Sequence, residues 1–128
     1  MVEEYSASKP IYLQIADRVI REIVRRERSP GDKLPSVREM ALKAGVNPNT
    51  IQRTYSELER MTIVETKRGQ GTFVTEKDEV LSVLNQRVQH EVIEIFIKNM
   101  KELGLSKEEM IESIKRYYSG EENRDDPV

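Results

Sequence analysis

Five hydrogen-bonding or cationic residues recur at helical spacing between residues 49 and 60. Stepping about 100° per residue places them on one side of a helix, opposite the apolar residues Ile51, Tyr55 and Leu58. No acidic residue is among the five, and amide, hydroxyl and guanidinium groups bind base edges and phosphates. The pattern therefore favours nucleic acid as the partner, although an isolated helix could carry a polar side for solubility alone. The five residues are Asn49, Gln52, Arg53, Ser56 and Arg60.

The surrounding residues predict how this helix is held. Ser36 followed by Glu39 is a capping box, and Asn47 followed by Pro48 is an N-cap with proline at the first helical position. Gly45 lies between them and can take a positive φ, as the joint of a helix-turn-helix requires. Because the two caps and the glycine turn together are typical of a helix-turn-helix, we favour DNA contact over a polar side that serves solubility alone. The predicted helices cover residues 36–43 and 47–60.

A β-hairpin is predicted directly after this unit. Two short segments rich in β-branched residues, 63–68 and 72–75, flank glycines that tolerate a tight turn. Alone, such a hairpin would only close the edge of a core, but after a helix-turn-helix it is typical of a DNA-binding wing. The predicted tip consists of Lys67, Arg68, Gly69, Gln70 and Gly71.

These motifs, in this order, resemble the N-terminal domain of the GntR family of bacterial transcription regulators. The comparable stretch is LPSVREMALKAGVNPNTIQRTYSELE followed by GQGTFV, and the likeness covers roughly residues 10–74. The resemblance implies a winged helix-turn-helix, and the family's roles imply DNA contacts at Arg38, Asn49, Thr50, Gln52, Arg53, Arg68, Gly69 and Gln70. Our predicted DNA-binding set adds Ser36, Asn47, Lys67 and Gly71.

One departure from the family concerns base recognition. Some members have arginine where this chain has Pro48. Without that cation, base reading depends more on Asn49, Gln52 and Arg53. The operator sequence therefore cannot be transferred from arginine-bearing relatives.

Two further helices are predicted in the C-terminal part. Apolar positions at helical spacing run to Gly104 and give a helix about 40 Å long, and a capping box at Ser106 starts a shorter helix. The second half of the long helix is apolar over a wide arc that one short helix cannot cover, so a second copy is expected to cover it. The predicted dimerisation residues are Leu84, Val88, Val92, Ile93, Phe96, Ile97 and Met100.

The size of this region resembles the YtrA subfamily of the same family. The subfamily often controls transporter operons, and most such proteins repress by occupying promoters. Members with a large aminotransferase-like domain are excluded, because only 53 residues follow the wing. An effector of unknown identity would have to use the dimer interface or a groove beside the winged domain, because two helices cannot enclose a drug-sized molecule.

Charge and composition limit the other functions. The net charge is −2, but residues 1–75 hold 13 basic and 10 acidic residues, and residues 76–128 hold 8 and 13. The modest basic excess thus lies with the helix-turn-helix, so DNA contact must depend on where the cations lie. The chain has no cysteine, no signal peptide and no apolar run long enough for a membrane span, which favours the cytoplasm.

No catalytic or metal-binding constellation is evident. His90 is the single histidine, with Glu91 and Glu94 nearby, whereas metal sites usually need about three or four converging ligands. The two glycines of the hairpin are spaced as in a nucleotide loop, but no capped helix follows them. We therefore expect no enzyme activity, no cofactor and no metal.

The sequence thus predicts a mainly α fold with a small β-hairpin, in which a two-helix dimerisation region follows an N-terminal winged helix-turn-helix. The predicted function is sequence-specific binding of double-stranded DNA, as a homodimeric repressor on an inverted-repeat operator. The alternative is a winged helix used for protein–protein contact with an acidic partner. Residues before the first helix, which is expected over 10–28, should be loose. The predicted domains are 1–75, 76–119 and a disordered acidic tail, 120–128.

Overall fold

The structure of the chain, a computed structural model that describes residues 5–120, is mainly α-helical. Three helices precede a two-stranded antiparallel hairpin and two helices follow it, which confirms the predicted fold class. The elements are α1 (Ile11–Val24), α2 (Val37–Ala44), α3 (Pro48–Arg60), β1 (Val64–Lys67), β2 (Gly71–Val74), α4 (Asp78–Glu102) and α5 (Lys107–Tyr118).

The helix-turn-helix core is a cluster in which α3 packs against both α1 and α2. α1 buries Ile15, Val19 and Ile23 on the apolar side that its spacing predicts, and α3 contributes Ile51 and Leu58. Complete burial of a large aliphatic side chain contributes about 1.5–3 kcal/mol. This cluster therefore fixes which side of α3 faces outward.

Three helix starts form as the sequence predicts. The hydroxyl groups of Ser36 and Ser106 each accept a hydrogen bond from the backbone N–H three residues later, and the glutamate at that position accepts one in return. Asn47 Oδ1 accepts from the Asn49 N–H at 2.7 Å. Gly45 adopts a φ of 70°, a conformation that strains other residues, and so allows the sharp turn between α2 and α3.

α1 ends at Val24, earlier than predicted. Arg26 adopts a φ of 67°, and its N–H donates to the Ile23 carbonyl at 3.1 Å. The Glu27 N–H donates to the Glu22 carbonyl at 2.8 Å. These paired bonds form a Schellman motif, where glycine is the usual left-handed residue. With arginine in that place, the sequence carries no signal for the helix end.

The hairpin has an additional backbone pairing that the sequence did not predict, an isolated β-bridge between Lys33 and Phe73. The sequence predicts a turn over residues 29–32 and a lead into the Ser36 cap over 33–35, and the turn is present, with the Asp32 N–H donating to the Ser29 carbonyl at 3.0 Å. In addition, the Leu34 N–H donates to the Thr72 carbonyl and the Val74 N–H donates to the Asp32 carbonyl, each at 2.8 Å. The segment before α2 therefore pairs with β2 and fastens the wing to the start of α2.

Residues 5–9 are held in place, which corrects the prediction of a loose segment for the part of it that the structure describes. The Tyr5 hydroxyl donates to the Ala44 carbonyl at 2.8 Å. Lys9 Nζ lies 2.6 Å from the Asp17 carboxylate. The segment is thus anchored to α1 and to the end of α2.

α4 is one helix of 25 residues, about 38 Å long. Residues up to Asn85 belong to one compact unit and residues from Gln86 on to a second, so the first two turns of α4 belong with the winged helix-turn-helix. No helix within residues 5–120 is both long and apolar enough to cross a membrane. From residue 121 on, the predicted disordered tail lies outside the described residues.

Candidate nucleic-acid interface

The polar residues of α3 form one exposed surface. Thr54 and Tyr55 are buried together with Ile51 and Leu58, so the other side of the helix faces outward. Thr50 is half-buried. The five residues predicted from helical spacing, Asn49, Gln52, Arg53, Ser56 and Arg60, are all exposed, and the acidic Glu59 is exposed as well.

Arg53 lies over an aromatic ring of α1. Its Cζ atom is 4.0 Å from the centre of the Tyr12 ring, well inside the distance of about 6 Å at which a cation is attracted to an aromatic face. In addition, Thr54 Oγ1 donates to the Tyr12 carbonyl at 2.9 Å. The guanidinium is therefore held on the side of the exposed α3 surface nearest to α1.

Arg60 is paired within its own helix. Two of its nitrogens donate to the Glu57 carboxylate, and this bond lowers the pKa of Glu57 and raises the pKa of Arg60. Arg60 therefore shares an exposed ion pair with a carboxylate of its own helix.

Tyr55 connects α3 to the segment before α2. Its hydroxyl donates to the Pro35 carbonyl at 2.6 Å. Burial raises the pKa of Tyr55 to about 12. The phenol therefore stays neutral and continues to donate at ordinary pH.

The start of α2 presents a serine, an arginine and a capping glutamate. Arg38 is exposed. The hydrogen bond donated by the Ser36 N–H lowers the pKa of Glu39, followed by smaller effects from neighbouring groups that include Lys33 and Lys43. The Ser36 hydroxyl accepts the capping hydrogen bond from the Glu39 N–H at 3.1 Å, and its own hydrogen bond to the Glu39 carboxyl also lowers the pKa of Glu39.

The hairpin tip is exposed and carries two cations. Lys67 Nζ lies 4.7 Å from the centre of the Phe73 ring, and the Gln70 N–H closes the turn by donating to the Lys67 carbonyl at 2.8 Å. Arg68, Gly69 and Gln70 are all exposed. The tip therefore offers a charged side chain, an amide and open backbone.

Lys33 is a further cation at the base of the wing. A Cβ atom on Gly71 would lie 2.7 Å from Lys33 Cε, so the glycine leaves room for the lysine side chain. Gly71 also has a φ of 126°. Because Lys33 also helps to lower the pKa of Glu39, its ammonium group serves both the wing and the start of α2.

The predicted dimerisation residues differ in exposure. Val92 is 63% exposed and Ile93 45%, Ile97 is also exposed, and Val88, Phe96 and Met100 are half-buried. Leu84 requires a correction, because it is only 4% exposed within a single chain. It belongs to the core and is not available to a second copy.

α4 and α5 border an apolar groove of about 490 Å³. Its lining includes Val92, Ile93, Phe96 and Met100 of α4, and Ile114 and Tyr117 of α5. Ile114 and Tyr117 are themselves exposed. The single chain therefore leaves this groove uncovered.

His90 is exposed and contacts a single carboxylate rather than lying in a ligand cluster. Its Nε2 atom is 3.2 Å from Glu94 Oε2. Across residues 5–120, no three histidine, cysteine, aspartate or glutamate side chains come together as a metal site would require.

Comparison with known proteins agrees with this geometry. The bacterial regulatory proteins of the GntR family match residues 11–74, which is half of the chain. The uncharacterized HTH-type transcriptional regulator YhcF of Bacillus subtilis is 61% identical over 120 residues, covering 94% of this chain and 99% of YhcF. The chain belongs to the GntR family. The resemblance drawn from the sequence is thereby confirmed.

Other similar proteins include a repressor and two solved structures. The HTH-type transcriptional repressor YtrA of Bacillus subtilis is 49% identical over 70 residues, 55% of this chain and 54% of YtrA. A GntR family transcriptional regulator from Listeria monocytogenes has a TM-score of 0.82 at 44% identity, over 88% of this chain and 98% of its own. The DNA-binding domain of AraR, in complex with operator ORX1, shares the fold, with a TM-score of 0.53 at 24% identity over 59% of this chain and 95% of that domain.

This GntR chain is a DNA-binding transcriptional regulator. Its relatives are regulators and not enzymes, as the sequence led us to expect. Because its relatives are regulators of this family, DNA binding is favoured over the alternative function, a winged helix used for protein contact.

The predicted DNA-binding residues of this GntR chain come from the start of α2, from α3 and from the hairpin tip, all within one compact unit. Ser36 and Asn47 also hold helix caps. Sequence reasoning missed Lys33, which lies in a segment without strand signals, and Tyr12. No local pattern could reveal the contact between Tyr12 and Arg53, which are 41 positions apart.

Proposed function

We propose that this GntR chain is a homodimeric repressor that binds an inverted-repeat operator and controls a transporter operon. The observation that carries the proposal is the exposed polar surface of α3. Asn49 and Gln52 offer amides of the kind that pair with adenine edges, and Arg53 offers a guanidinium suited to guanine or phosphate. The cations expected on flanking phosphates are Lys33, Arg38, Lys67 and Arg68.

The regulatory details are supported by relatives. YtrA is a repressor, and the C-terminal region of this chain has the size typical of the YtrA subfamily, which often controls transporter operons. The protein would act in the cytoplasm, where the operator lies.

A second copy of the chain is the proposed occupant of the apolar groove. Apolar patches of this kind mark interfaces, and a twofold partner presenting the same residues covers both copies without another protein. The groove volume of about 490 Å³ also lies within the range of small-molecule sites, roughly 300–1,000 Å³. An effector would therefore compete with the second copy or bind beside it.

Selection of bound fragments from random duplex DNA, using the full chain, tests the proposal. We expect enrichment of an inverted repeat with half-sites about 10 bp apart. A pool without any enriched sequence would overturn specific operator binding. Enrichment of single half-sites alone would overturn the dimeric operator.

Substitution on α4 tests the interface. Val92→Asp places a charge in the groove and should convert the dimer to a monomer in analytical ultracentrifugation, with much weaker operator binding. Val83→Asp is the matched control, because Val83 is equally exposed at 64% and its position nine residues earlier puts it on the opposite side of the helix. A Val92→Asp protein that remains dimeric would place the interface elsewhere.

A further inference from the structure

Tyr12 lies beside the DNA-facing surface of α3 without belonging to it. The residue is half-buried in the first turn of α1. Its carbonyl accepts a hydrogen bond from Thr54 Oγ1 at 2.9 Å, and its ring lies 4.0 Å from Arg53 Cζ. The backbone of Tyr12 is therefore fixed to α3 independently of its ring, and the ring is placed under a cation that faces solvent.

A held guanidinium has an advantage in binding DNA. An arginine on an exposed helix samples many rotamers, and binding must remove that freedom. A guanidinium that lies over a ring uses its face for the contact, whereas its five N–H donors point outward in its plane. Arg53 can thus be ordered before DNA arrives and still donate to a base or a phosphate.

We propose that Tyr12 is a positioning residue for Arg53. The ring of Tyr12 holds the Arg53 guanidinium in the place from which Arg53 binds DNA. The inference rests on the proposed operator binding. The inference gives α1 a part in DNA recognition, because the position of the Arg53 side chain on α3 then depends on an aromatic residue of α1.

A second tyrosine–arginine pair in the chain provides an internal comparison. Arg18 Cζ lies 5.5 Å from the centre of the Tyr5 ring, and neither residue is on α3. Tyr5→Leu therefore controls for the general loss of a tyrosine ring that contacts an arginine.

A double-mutant cycle on the full chain tests the proposal. The probe is the duplex that the wild-type chain enriches from random DNA. Tyr12→Leu should weaken binding roughly two- to five-fold, the equivalent of about 0.5–1 kcal/mol for an exposed cation–π contact at about 1.4 kcal/mol per tenfold. Tyr12→Phe should restore wild-type affinity, and Tyr5→Leu should leave it unchanged.

Measuring Tyr12→Leu in a chain that lacks the Arg53 side chain distinguishes a positioning role of Tyr12 from a structural role. In Arg53→Ala, which alters only an exposed side chain, Tyr12→Leu should cause no further loss, because the interaction it removes is already absent. An equal loss in both backgrounds would show a merely structural role and overturn the inference, as would full affinity in Tyr12→Leu. If the wild-type chain enriches no duplex, the proposed function itself fails, and the inference fails with it.

Discussion

Tyr55 is the residue through which α3 is tied to the segment that leads into α2. Its hydroxyl donates to the Pro35 carbonyl, and its burial raises its pKa to about 12. A net hydrogen bond of this kind contributes about 1 kcal/mol. This hydrogen bond thus adds to the packing that places the two helices, as long as the phenol remains protonated.

Tyr55→Phe should therefore lower the free energy of unfolding by about 1 kcal/mol, measured by urea denaturation. The pKa of Tyr55 is higher in the folded chain than its ordinary value of 10.0. The contribution of the protonated phenol to the free energy of unfolding is therefore fully present below pH 10 and is lost as the pH rises towards about 12. The wild-type chain should lose stability across this window, and Tyr55→Phe should lose less. Tyr118→Phe is the control for removal of a phenol hydroxyl. If Tyr55→Phe loses as much stability between pH 10 and about 12 as the wild-type chain does, the prediction is contradicted.

At the scale of elements, the start of α2 combines a helix cap with a proposed DNA-contacting position. Ser36→Ala removes the cap and should destabilise the chain by about 1 kcal/mol. Ser36→Asp keeps a good cap but adds a negative charge, so its thermal stability should match the wild type while its affinity for duplex DNA falls. If Ser36→Asp binds DNA as well as the wild type does, Ser36 lies away from the phosphates.

The two hairpin glycines both have a positive φ, but the φ of Gly71, 126°, strains an alanine more. Gly69 has a φ of 76° with open space around it, so Gly69→Ala should cost only the left-handed strain of about 1–2 kcal/mol. Gly71→Ala should also displace Lys33, because the new Cβ would lie 2.7 Å from Lys33 Cε. We expect Gly71→Ala to weaken DNA binding more than Gly69→Ala does, in titrations at constant salt. Equal losses would argue against a role for Lys33 at the interface.

Elements whose signals are local were predictable, and elements that depend on distant partners were not. The caps at Ser36 and Asn47 use residues within three positions, so the sequence located both helix starts. The end of α1 at Val24 depends on backbone geometry, and the isolated bridge at Lys33 depends on pairing with β2. Burial of Leu84 likewise required knowledge of what lies next to α4, because helical spacing does not distinguish a core residue from an interface residue.

At the scale of the whole molecule, a nearly neutral protein must bind a polyanion through the placement of few cations. Binding to the enriched duplex should weaken steeply with salt, with a log–log slope of about −0.9 per phosphate neutralised. Lys33→Gln should reduce the magnitude of this slope by about one per protomer that contacts DNA. Lys115→Gln, on α5, is the control. An unchanged slope in Lys33→Gln would remove Lys33 from the interface.

The exposed uncharged polar side chains of α3 have an evolutionary consequence. The side chains of Asn49, Gln52 and Ser56 face away from the core, and exposed substitutions of this kind usually change stability by no more than about 0.5 kcal/mol. After gene duplication, a copy of this chain could therefore replace them one at a time without losing its fold. New target sequences would be reached through folded intermediates, so regulators built on this scaffold can diverge in the genes they control faster than in their architecture.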